Sequence, residues 1–132
     1  MKEPVSNTRT RLLVWGVCVS LALLVALAFG QVVRFQFVNY DDNLYVARNP
    51  MVLAGPTWRG IVWALTYAGA DYWHPLTWWS HMIDSRLFGL WAGGHHLSNV
   101  LLHGLSAILL FLAVRGMTGS LWRSAFVAAL FA

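Results

Sequence analysis

The apolar positions fall into long uninterrupted runs. Leu12 to Val33 covers 22 residues without a charge. As a helix it measures about 33 Å, enough to cross a hydrocarbon core of about 30 Å. Residues 1–11 form a short polar tail, with Lys2, Arg9 and Arg11 against Glu3, and Arg34 closes the run. Trp15, near its start, fits an anchor at the headgroup level. A second span is predicted over 96–114, with Asn99 and His103 in its first half and a clean apolar stretch from Leu105 to Val114. A turn over 115–123 follows, and Ser124 to Ala132 is apolar again. Nine residues cannot cross a bilayer as a helix, so this last stretch reads as the start of a truncated third span. Ala26-Leu27-Ala28 resembles a leader cleavage site, but the apolar run exceeds the roughly 7–15 residues of a signal-peptide core.

Between the spans, 34–95 is predicted to be an external loop. It carries Arg34, Arg48, Arg59 and Arg86 against Asp41, Asp42, Asp71 and Asp84. Two short helices are expected in it. Thr57 can cap one over 58–68, after the turn signal Gly55-Pro56. Pro75 suits the first position of another over 75–89, with Leu76, Trp79, Ile83 and Leu87 along one stripe. Gly93-Gly94 is expected to end that pattern. Both helices are too short to span and read as amphipathic helices at the membrane surface. The predicted fold is an all-α membrane protein: two transmembrane helices, the start of a third, and interfacial helices in a large external loop.

Composition sharpens this picture. Hydrophobic residues make up 58% and charged residues 11%, far below the charged share of about a quarter in soluble domains. Six of the eight tryptophans lie in the loop, which suits a segment resting on lipid. The net charge of +4 is scattered singly and makes no patch for nucleic acid, so membrane lipid is the expected partner of the basic ends. A single Cys18 excludes disulfides within the chain and thiolate zinc sites. The tail and the 115–123 turn hold five of the nine basic residues. By the positive-inside rule both are expected in the cytoplasm, with the loop outside, in the periplasm of a bacterial inner membrane.

Asp41 and Asp42 are the first candidates for chemistry. Neighbouring side chains diverge by about 100° on a helix, so both serve one site only where the backbone is irregular. One reading has one of them capping a helix that starts at Asn43 or Leu44 and the other solvated. The other uses their place just past Arg34, near the phosphate level of a membrane-anchored substrate. A carboxylate there can take a proton from an acceptor hydroxyl or help to hold a divalent cation. His74 and His81 share a helix face about 10.5 Å apart, too far for one metal without a third element. No carboxylate or cysteine joins the histidines at ligand spacing along the chain, so no metal or haem site is assigned and His81 and His103 read as hydrogen-bonded packing residues. Arg34 and Arg86 can pair with phosphate or snorkel to headgroups.

Four stretches in this order resemble a known class: Phe37-Val38-Asn39-Tyr40-Asp41-Asp42, Tyr72-Trp73-His74-Pro75-Leu76-Thr77, Leu87-Phe88-Gly89-Leu90, and His95-His96-Leu97-Ser98-Asn99-Val100-Leu101-Leu102-His103. From residue 37 to about 112 the chain is similar to the N-terminal part of GT-C class glycosyltransferases, most of all the transmembrane and tetratricopeptide-repeat O-mannosyltransferases and their bacterial relatives. The resemblance implies a polyprenyl-phosphate sugar as donor and a protein or glycan as acceptor. It implies that one of Asp41 and Asp42 is the catalytic base without telling the two apart, and that a basic residue neutralises the leaving phosphate; of the pair we favour Asp42. Arg34, His74, Arg86 and His103 are the candidates for that second role. Eukaryotic members tend to carry Arg where His74 precedes Pro75. The rival expectation is a non-catalytic anchor or assembly module for tetratricopeptide repeats further along.

Overall fold

The computed structural model describes residues 5–69 and 72–132, with side chains from Thr8 onward. The first four residues of the polar tail, and Asp71, lie outside the described residues. All regular structure among the described residues is helical. The order is α1 (Val5–Phe29), a 3-10 extension (Gly30–Arg34), a π-helical turn (Asn43–Ala47), α2 (Pro50–Leu53), α3 (Trp58–Thr66), α4 (Pro75–Phe88), α5 (Ala92–Thr118) and α6 (Leu121–Phe131).

Two helical stretches, Thr8–Arg34 and Ala92–Thr118, are each 27 residues long, with mean hydropathy 2.7 and 2.1 over their most apolar windows. Each is about 40 Å long and can cross a membrane. Only 11% and 17% of those windows are buried within the protein, unlike the core helix of a soluble domain. Leu12, Leu23, Leu27, Leu101 and Leu109 are all more than half exposed. α6 is apolar but, at 11 residues, too short to span by itself.

The chain divides into two compact units. One takes the described residues up to Gln31 together with Asn99–Ala132. Its core is Leu21, Phe111 and Ala128, with Val14, Val17, Ile108 and Ala125 packed around them. α5 ends at Gly119, whose φ of 68° allows the sharp reversal into α6. Ser124 is fully buried there because its hydroxyl donates to the Ser120 carbonyl at 2.6 Å.

The other unit, Val32–Ser98, is the loop region. Its core is Val52, Ala64, Trp78 and Met82, ringed by Tyr45, Trp63, Tyr67 and Trp79. Local chemistry sets its helix starts. Asn49 caps α2 by accepting from the backbone N–H groups of Met51 and Val52, and Pro50 occupies the first helical position. Thr57 caps α3 through the Gly60 N–H at 3.1 Å, and Pro75 opens α4.

Several boundaries differ from expectation: α3 stops at Thr66 and not at 68, and α6 starts at Leu121 and not at 124. The helix expected from residue 12 is already formed at Val5. α5 begins at Ala92 and runs to Thr118, not from 96 to 114, so the turn expected over 115–123 shrinks to Gly119-Ser120. Gly93 and Gly94 therefore do not break a helix; they sit in its first turn. A Cβ on Gly93 would collide with the Val33 carbonyl and come within 2.8 Å of the Trp91 indole, and one on Gly94 would strike Phe88. These glycines are there for close packing.

Candidate functional site

The loop unit brings several ionisable side chains together around His81 of α4. Asp41 is exposed, whereas Asp42 is half-buried. A helical turn does begin at Asn43, but Asp42 makes no side-chain cap to it. Its carboxylate turns backward instead and accepts the Val38 N–H at 2.8 Å. The Asn43 side-chain amide donates to Asn39 beside it. The backbone then widens into the π-helical turn Asn43–Ala47, an irregularity often found at functional sites.

Tyr45 from that turn stacks on two rings of α4 and its entry. Its centroid lies 4.7 Å from Trp78 and 5.4 Å from His74, nearly parallel to both. His74 and Trp78 stack on each other at 5.1 Å. Trp63 and Tyr67 of α3 and the residue after it pack edge-on against Trp78. A pocket of about 470 Å³ opens beside this stack, lined by Asn43, Arg48, Asn49, Trp63 and Tyr67 among others.

On the same helix, His81 is half-buried. Burial pushes its imidazole below the ordinary histidine value, Asp84 and Asp42 pull it back up, and His95 and His74 push it down. All four groups therefore lie within electrostatic reach of one ring. Asp84 is 6% exposed and His95 is 3% exposed. The Ser98 hydroxyl donates to Asp84 Oδ1 at 2.6 Å, and His95 Nδ1 stands 4.0 Å from Asp84 Oδ2. His95 Nε2 lies 3.0 Å from the Gly89 carbonyl oxygen. The Nδ1 atoms of His81 and His95 are buried and have no hydrogen-bond partner. One ligand atom from each of His81, Asp84 and His95 lies within 4.8 Å of the other two.

The residues singled out from sequence are thus sorted. Asp42 and His74 lie within reach of His81. Arg34, Arg48 and Arg86 are all exposed, and of the three Arg48 lines the pocket. His103 belongs to the other unit, where Phe29 and Phe131 flank its ring and its Nε2 lies 3.2 Å from the Ala132 carbonyl. The chain reading joined no carboxylate to the histidines, whereas the structure brings Asp84 to two of them. Half of this was visible: His81 and Asp84 are three apart and so share a helix face. His95 depends on how the start of α5 packs, which no spacing reveals. No protein-family model, curated protein or solved structure matches the chain.

Proposed function

We propose that the chain carries the base-bearing region of an integral-membrane glycosyltransferase that uses a polyprenyl-phosphate sugar. Asp42 takes the proton of the acceptor hydroxyl. That oxygen attacks the anomeric carbon, the bond to the phosphate oxygen breaks, and polyprenyl phosphate leaves. Arg48 in the pocket neutralises the departing phosphate, with Arg34 and Arg86 toward the lipid headgroups. α1 and α5 span the membrane, with the basic tail and the α5–α6 turn in the cytoplasm of a bacterial cell and the loop unit on the outer face.

The observation that supports this reading is the asymmetry of the acidic pair. Asp42 is half-buried, is held by the Val38 N–H and interacts with His81, whereas Asp41 faces solvent. The test is sugar transfer from a polyprenyl-phosphate donor in membranes containing the full-length protein. Asp42→Asn is expected to lower the rate by about 10²-fold or more, as for loss of a positioned base. Asp41→Asn is expected to leave it within a few-fold. Wild-type transfer by Asp42→Asn would end the catalytic reading.

A second reading, a membrane anchor for tetratricopeptide repeats, draws on the outward apolar side chains of the loop unit. Trp58, Trp73, Leu76 and Leu87 are 65–78% exposed and suit a surface lying on lipid. It predicts that neither aspartate substitution changes membrane association or partner capture.

A further inference from the structure

We propose that His81, Asp84 and His95 bind a divalent transition-metal ion, with Zn²⁺ the ion to test first. Two imidazoles and one carboxylate are a borderline-soft donor set. It suits zinc and its first-row neighbours over magnesium or calcium, which prefer all-oxygen shells.

The orientation of the ligands carries the argument. The Gly89 carbonyl can only accept, so His95 Nε2 must be the protonated nitrogen that donates to it. In the neutral ring, the form that binds metal, this leaves His95 Nδ1 as a bare lone pair, and it is the atom that faces Asp84. Metal-binding histidines are held in this way, one nitrogen on a backbone carbonyl and the other on the ion. Asp84 is prepared in the same fashion. Ser98 occupies Oδ1 and leaves Oδ2 toward the histidines. Two buried imidazole nitrogens without hydrogen-bond partners, beside a buried carboxylate, are costly without a further group between them. An ion supplies that group.

Ligand atoms of a tetrahedral zinc site stand about 3.3 Å apart when each bond is about 2.0–2.1 Å. The present 4.8 Å limit therefore calls for a contraction of about 1 Å or more in the widest pair on filling. Rotation of the His81 ring can supply it, because that ring is half-buried and its Nδ1 has no hydrogen bond to break. Three protein ligands leave at least one position for water or substrate, the pattern of catalytic zinc and not of closed structural sites. Metal binding here stands whether or not the chain transfers sugar, because the readout below is the ion itself.

The experiment takes the full-length protein, purified in detergent with any affinity tag removed and stripped with a chelator. It is titrated with Zn²⁺ and separately with Co²⁺. The expected result is one Zn²⁺ per chain, with Co²⁺ giving the visible absorption of a low-coordinate nitrogen–oxygen site. Asp84→Asn and His95→Gln are expected to abolish stoichiometric binding, while His103→Gln leaves it at one per chain. Ser98→Ala keeps all three ligands and is expected to weaken binding about 10-fold or more, as for loss of an outer-shell partner. Should the ligand variants fail to fold, the wild-type stoichiometry and the Ser98→Ala shift decide. No stoichiometric zinc in the wild type, or equal affinity in wild type and Ser98→Ala, overturns the proposal and leaves a polar clamp between α4 and α5.

Discussion

Trp78 and Trp58 show how much position decides for one residue type. Trp78 is fully buried at the meeting point of Tyr45, His74, Trp63 and Tyr67, whereas Trp58 is 78% exposed. Trp78→Ala is expected to destabilise the loop unit by about 3–5 kcal/mol, the usual range for emptying a buried aromatic site. Trp58→Ala should stay within about 0.5 kcal/mol in detergent. Denaturant unfolding followed by the remaining tryptophan fluorescence measures both; similar losses would place the core elsewhere. At this scale the sequence was only partly legible. A tryptophan-rich loop reads as a membrane-surface segment, and Trp58, Trp73 and Trp91 are exposed as such a segment requires. Nothing in residue type or spacing marks Trp78 as the buried one. The acidic pair behaves likewise: adjacency signals a site, but the local bond by which Asp42 accepts the Val38 N–H depends on an irregular backbone that adjacency does not reveal.

Among the elements, legibility follows whether the cause is local. Thr57 and Pro75 announce the starts of α3 and α4 because capping and proline placement act within one turn. Thr57→Ala is expected to cost about 1 kcal/mol, seen as a lowered unfolding midpoint. The π-helical turn was not legible, since Asn43–Ala47 has no breaker and no distinguishing period. Nor was the start of α5, where the glycines that look like a break are demanded by packing. Gly93→Ala would force a Cβ into the Val33 carbonyl and is expected to destabilise by about 1–3 kcal/mol, the cost of overpacking. Gly116→Ala, on the same helix with open space around it, should be neutral or stabilising by up to about 1 kcal/mol. Equal effects in the two would remove close approach as the reason for Gly93.

At the scale of the whole molecule, the helical character of the described residues was plain from the chain, because long uncharged runs leave a helix as the only spanning form for a single segment. What needs testing is whether α5 crosses a bilayer. Leu105 lies midway along α5 and is 52% exposed, with apolar neighbours exposed on either side. If that surface meets hydrocarbon, Leu105→Arg places a charge near the bilayer centre and raises the insertion cost by about 2.5–3.5 kcal/mol. Leu87 on α4 is 67% exposed, and the proposed topology puts it at the headgroup level. There a long arginine can reach water, so Leu87→Arg should insert as the wild type does. The readout is a glycosylation acceptor site engineered at Gly119, scored for the side of the membrane it reaches during translation into microsomes. Leu105→Arg is expected to shift it to the opposite side in a substantial fraction of chains, and Leu87→Arg to leave it in place. An unchanged pattern in both would mean that the exposed leucines of α5 are covered by protein and not by lipid. A shift in both would place α4 in the hydrocarbon as well, which its buried Asp84 and exposed Arg86 argue against.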